Sequence, residues 1–157
     1  MVADFYLNLT ITTEADTERI GRDIAGLAQV GDIIALSGDL GTGKTVLARA
    51  FIQALGGREE VPSPTFNLVQ SYDLGWLMVH HLDLYRIENP EDVFELGIEE
   101  LFATGVSLIE WPDRLGAQIP KDRLNLKLFH PNFLAESKTA RRITIEGLGA
   151  WQSRFEK

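Results

Sequence analysis

Cysteine is absent from the 157-residue chain. That excludes a disulfide scaffold, a thiolate metal site and a thiol nucleophile, and it fits a reducing compartment. Also missing are an Arg-rich leader and any apolar run near the roughly 18 residues of a membrane span. The expectation is a soluble, cytoplasmic protein with no membrane attachment. Nor is there an excess of positive charge: 15 basic against 23 acidic residues give a net charge of −8. A protein that grips nucleic acid unaided needs a basic face, so this balance argues against that class. The charge is uneven, with 9 basic and 4 acidic residues from Arg114 to Lys157 (+5), against 6 and 19 from Met1 to Asp113 (−13). Two solvated faces explain the asymmetry most simply; the alternative is an acidic docking face with a basic edge near nucleotide or RNA.

What is present is 45% apolar residues, enough for one core and hardly for two, so a single domain over residues 1–157 is expected. Phe5, Leu7, Leu9 and Ile11 alternate with polar neighbours, as in a half-buried strand. Thr13 and Asp16 form a loose capping-box pattern before Ile20, Ile24, Leu27 and Ala28 at helical spacing. The run Ile33-Ile34-Ala35-Leu36 suits a central parallel strand, and Val46 to Leu55 a helix ended by Gly56-Gly57. Asn67 to Tyr72 and Trp76 to Leu82 read as a hairpin around Asp73-Leu74-Gly75. Asn89-Pro90-Glu91-Asp92 is a helix start. Val106 to Ile109, Leu124 to Leu128 and Ile143 to Ile145 supply further strands. The sum is an α/β fold of three layers around a mixed, mainly parallel central sheet.

Gly38-Asp39-Leu40-Gly41-Thr42-Gly43-Lys44-Thr45 fits G-x-x-x-x-G-K-[ST] and lies between the buried strand and the helix that the motif requires. Average residue usage yields this pattern by chance in roughly one chain in two hundred of this length. Glycines let consecutive N–H groups converge on phosphate oxygens, and the helix N-terminus adds its positive end. Lys44 brings a point charge to the outer phosphates, and Thr45 offers a hydroxyl to Mg²⁺. The expected ligand is ATP with Mg²⁺; the absence of an Asn-Lys-x-Asp guanine-reading motif favours adenine. Its expected contacts are Asp39, Leu40, Gly41, Thr42, Gly43, Lys44, Thr45 and Val46.

The metal also needs a carboxylate at the end of a neighbouring strand. Asp83, in His81-Leu82-Asp83-Leu84-Tyr85-Arg86, and Glu110, in Glu110-Trp111-Pro112, both qualify, and either alone could equally be a solvated loop acid. Ser63-Pro64-Thr65-Phe66 reads as a plain turn or as a switch loop with a hydroxyl for metal or γ-phosphate. His80 and His81 lack metal-ligand spacing, because adjacent strand residues face opposite sides. Trp111 suits the core or a cover over the phosphates. Arg86 could reach the γ-phosphate or pair with a nearby acid.

Four ordered blocks, Gly38 to Thr45, Ser63 to Phe66, His81 to Arg86 and Glu110 to Pro112, together resemble the TsaE (YjeE) family of bacterial P-loop ATPases over roughly residues 13 to 147. The resemblance implies weak ATP hydrolysis in support of the TsaB and TsaD proteins, which with TsaE make the threonylcarbamoyl modification beside the anticodon of tRNA. It implies no carbamoyl transfer by this chain, and only indirect dealings with tRNA. Lys44 and Thr45 then take their P-loop roles, and Glu110 joins Thr45 on Mg²⁺. Asp83 serves hydrolysis near the metal, Thr65 lies in a switch-like loop, Trp111 lies beside the nucleotide, and the segment Thr12 to Thr17 approaches the adenine. The tail after Arg114 matches no block.

Two other classes share the loop. A small-molecule or nucleoside kinase would carry an Arg-rich lid, for which Arg114 to Arg123 is a sparse candidate, and would yield a phosphorylated product. A nucleotide-gated binding module would need Lys44 but not Asp83.

Overall fold

The structure is a computed structural model that describes residues 5–57, 68–130 and 141–155. Seven strands form one mixed sheet in the order β1-β7-β6-β2-β5-β4-β3. Its four central strands, β6 (Arg123–Phe129), β2 (Ile33–Ser37), β5 (Val106–Glu110) and β4 (Met78–Asp83), run parallel. The flanking pairs are antiparallel: β3 (Val69–Asp73) on β4, and β7 (Arg141–Leu148) between β6 and β1 (Phe5–Ile11). The direction follows from the connections. Asp73 to Gly75 turns β3 back on β4 within a few residues, whereas a parallel neighbour needs a crossover long enough to include a helix.

Helices cover both faces, as strands buried on both sides demand. On one face, Ile34, Leu36, Leu108, Leu126 and Ile145 pack against α1 (Glu14–Ala25) and α2 (Lys44–Ala54) through Ile24, Leu47, Phe51 and Ile52. On the other, Ile33, Leu82 and Ile109 meet α3 (Pro90–Phe94), α4 (Ile98–Thr104) and the 3₁₀ segment Pro112–Gln118 through Val93, Ile98 and Leu115. The alternation of Ile33 with Ile34 along β2 divides the two cores, and together they make the expected three layers. Gly21 sets the spacing of α1 on α2, since a Cβ there would lie 2.6 Å from the Leu47 carbonyl oxygen.

The capping box at α1 forms as read: Thr13 accepts from the Asp16 N–H at 3.2 Å, and Asp16 accepts from the Thr13 N–H at 3.3 Å. Asn89 stands at the N-cap of α3 but contributes no side-chain hydrogen bond there. No helix among the described residues is long and apolar enough to cross a membrane.

The basic C-terminal stretch has structural work. Arg114 donates to the Ile87 carbonyl at 3.2 Å and Arg123 to the Pro120 carbonyl at 2.9 Å. Arg154, in α5 (Trp151–Phe155), grips both oxygens of Asp32 at the mouth of β2, with one contact at 2.8 Å, and lies over the Trp151 ring. Asp32 and most of Arg154 are withdrawn from solvent, so removing one partner leaves a poorly hydrated charge. Arg154→Ala is expected to cost about 3 kcal/mol, roughly 6–12 °C in Tm. Urea unfolding measures it; a midpoint equal to wild type would show that the pair contributes nothing.

Candidate functional site

The loop between β2 and α2 holds its shape because three of its glycines adopt conformations that side chains rarely allow. Gly38, Gly41 and Gly43 have φ of 143°, 79° and 105°. At Gly38 a Cβ would also collide with the Leu128 carbonyl oxygen, so the loop rests directly against the end of β6. The buried Thr42 hydroxyl donates to the Asp39 carbonyl at 2.8 Å and closes the turn. Gly43 caps α2 without a side chain, so the first N–H groups of that helix face a cleft of about 370 Å³. Leu40, Gly41, Gly43, Lys44, Thr45 and Val46 line that cleft from one side.

Asp83, Tyr85, Glu110 and Trp111 line it from the other. The two acids are the last residues of β4 and β5, and they are register partners in the parallel pairing. Both are buried, with Glu110 only 3% exposed. Thr45, the second residue of α2, donates its hydroxyl to the Glu110 carboxylate, with the two oxygens at 3.1 and 3.2 Å. Asp83 accepts from the Tyr85 N–H at 3.1 Å, which fixes its carboxylate over the strand end.

Lys44 is 5% exposed. Its ammonium donates to the carbonyls of Gly38 and Asp39, the latter at 3.1 Å, and lies 4.3 Å from the centre of the Trp111 ring. Burial pulls its pKa below the ordinary lysine value of 10.5, while the carboxylates of Glu110, Asp83, Asp39 and Asp113 pull it back up. Trp111 itself has φ of 60°, a strained conformation for a bulky residue, and its ring meets Tyr85 at 5.0 Å. That twist at the end of β5 sets the indole beside Lys44 at the cleft, while part of it packs against the core.

Of the site residues expected from the sequence, Leu40, Gly41, Gly43, Lys44, Thr45, Val46, Asp83, Glu110 and Trp111 line one cleft, and Thr65 lies outside the described residues, as does the Ser63 to Phe66 block. Asp39 and Thr42 shape the loop rather than line the cleft. Thr17 of the N-terminal segment is buried next to Gly43, within 3.7 Å of where a Cβ would stand. His81 was dismissed by spacing as a metal ligand, yet it is fully buried and holds Glu110 at 2.7 Å. Its period-2 relation to Asp83 on β4 was the available signal. His80 points the other way, between the hydroxyls of Ser71 and Thr104 at 2.7 and 3.0 Å, and burial lowers its pKa below 6.5.

The donor set suits a hard cation bound together with phosphates. Among the described residues no group of three or more His, Cys, Asp or Glu side chains could hold a metal alone. A hydroxyl, one or two carboxylates and substrate oxygens are what Mg²⁺ takes in such sites.

The family model for the threonylcarbamoyl adenosine biosynthesis protein TsaE matches residues 11–142. Among similar proteins, the tRNA threonylcarbamoyladenosine biosynthesis protein TsaE of Bacillus subtilis is 38% identical over 112 residues, covering 71% of this chain and 70% of that one. Its counterpart in Rickettsia bellii is 36% identical over 121 residues, 75% of this chain and 84% of its own. The crystal structure of Bacillus subtilis YdiB superposes with a TM-score of 0.83 at 28% identity, over 99% of this chain and 95% of that one. The chain belongs to the TsaE family of tRNA threonylcarbamoyladenosine biosynthesis.

Proposed function

We propose that this chain binds ATP with Mg²⁺ and hydrolyses it, and that the hydrolysis supports the TsaB–TsaD assembly in tRNA modification without carbamoyl transfer by this chain. The observation that carries the reading is the convergence of Lys44, Thr45 and Glu110 on one cleft at the N-terminus of α2. Backbone N–H groups of Gly41 to Thr45 wrap the β-phosphate, and Lys44 exchanges its carbonyl partners for phosphate oxygens. Thr45 and Glu110 would hold Mg²⁺, Glu110 directly or through water, and the ion when bound neutralises charge on the β- and γ-phosphates. Asp83 orients a water in line with the γ-phosphorus and accepts its proton as the bond to the bridging oxygen breaks and ADP departs. Trp111 and Tyr85 wall the cleft against bulk water. Work on tRNA fits a cytoplasmic location.

Reconstitution with TsaB, TsaD and tRNA tests this reading. Repeated rounds of modification should require the chain, with ATP consumed and no phosphorylated acceptor formed. A stoichiometric phosphorylated metabolite, or modification indifferent to the chain, would overturn it.

The lowered pKa of Lys44 gives the reading a signature in pH. In the free protein the ammonium loses its proton below 10.5, and phosphates beside it push the pKa back up. Between the two values the complex holds the proton that the free protein lacks. Binding on the alkaline side should therefore take up a fraction of a proton, and affinity should fall as pH rises through the free value. Calorimetry in buffers of different ionisation enthalpy measures this directly; proton release on binding would contradict it.

A further inference from the structure

Glu110 receives two hydrogen bonds, and they behave differently once phosphate and metal arrive. The Thr45 hydroxyl donates to it now, but a hydroxyl that gives a lone pair to a cation must turn its proton away from that cation. His81 is the anchor of Glu110 that would take no part in holding the ion. Its Nε2 lies 2.7 Å from a Glu110 carboxylate oxygen, the ring is wholly buried, and Nδ1 has no partner among the described residues. A carboxylate only accepts, so Nε2 carries the proton. His81 stands in β4 two residues before Asp83, paired in register with Leu108 of β5 on one side and Gln70 of β3 on the other.

We infer that His81 is a positioning residue that sets the orientation of the Glu110 carboxylate for the metal, through a single Nε2–H donor fixed in the sheet. The inference rests on the Mg²⁺–nucleotide reading above and deepens it. Groups that orient a ligand from behind typically change metal affinity by about 10–100-fold when removed.

Two variants and one spectrum test it. In His81→Phe the ring shape stays and the donor goes; in His81→Gln an amide N–H returns at about the same reach. Mn²⁺ uptake by the protein–ADP complex, followed by electron paramagnetic resonance, should weaken roughly 10–100-fold in His81→Phe and recover to within about threefold in His81→Gln. ADP affinity in EDTA should change in neither, and thermal unfolding controls for folding. Equal losses in both variants, wild-type Mn²⁺ uptake in His81→Phe, or a matching loss of ADP affinity in EDTA would each overturn the role. The unaltered protein supplies an independent reading, because it has only three histidines. Long-range ¹H–¹⁵N spectra should show a proton on His81 Nε2; a proton on Nδ1 alone would overturn the inference. Wild-type protein that binds ADP in EDTA but takes up no Mn²⁺ with it would overturn the metal reading, and with it this role. Intact wild-type uptake with an indifferent His81→Phe would remove the role of His81 alone.

Discussion

Lys44→Ala is expected to weaken ATP and ADP binding by roughly 150-fold, about 3 kcal/mol, as truncating one partner of a buried, hydrogen-bonded charge pair does. The site is built around this one ammonium. It is buried, it is held over the Trp111 ring, and its partners in the free protein are the carbonyls of its own loop. Those carbonyls are weak substitutes for phosphate oxygens, so binding exchanges modest hydrogen bonds for charge-assisted ones. Stability should hardly suffer, because removing a buried ammonium relieves its desolvation while forfeiting two neutral-acceptor bonds. Lys44→Arg should not restore binding, since a planar guanidinium fork does not fit where a compact charge is packed beneath an indole. Calorimetry with excess magnesium measures the affinities. An affinity within about threefold of wild type in Lys44→Ala, a difference of about 0.7 kcal/mol, would sink the phosphate-binding reading.

Asp83→Asn separates turnover from binding. Asparagine keeps the oxygen that accepts the Tyr85 N–H, so the end of β4 should retain its conformation. What is lost is the negative charge and the ability to take a proton from water, a contribution of roughly 10²–10⁴ in rate. Hydrolysis in the presence of the partner proteins should fall by that factor while nucleotide affinity stays within about threefold. Unchanged turnover would reduce Asp83 to a structural cap on the strand. Full tRNA modification by Asp83→Asn alongside none by Lys44→Ala would point instead to a nucleotide-gated module.

Much of this was legible along the chain, for identifiable reasons. β1, β2 and β5 announce themselves because a sheet imposes its period of two or, at the centre, uniform burial, and both leave a mark in the residues. The loop was readable because glycines at φ above zero have few substitutes. The site acids were found by their place after apolar runs, and the structure puts Asp83 and Glu110 on neighbouring strand ends. Their division of labour came only from family resemblance, since side-chain chemistry is identical for a metal ligand and a base. The 3₁₀ segment after Trp111 and the short α5 carried no periodic signal, being too brief for one. The contact of His81 left no mark in the sequence because its partner, Glu110, lies on another strand, 29 residues away. The basic tail was ambiguous in composition; Arg114 and Arg154 tie distant chain segments together, and Arg123 bonds locally.

Because Asp83 and Glu110 occupy the same rung of a parallel ladder, strand alignment and chemistry are one variable in this protein. Inserting a single residue within β4 or β5 would send one acid to the opposite side of the sheet and exchange it for a leucine or an isoleucine. Length variation among relatives should therefore concentrate in the Asp73 to Gly75 turn and spare the stretches that end in these two acids.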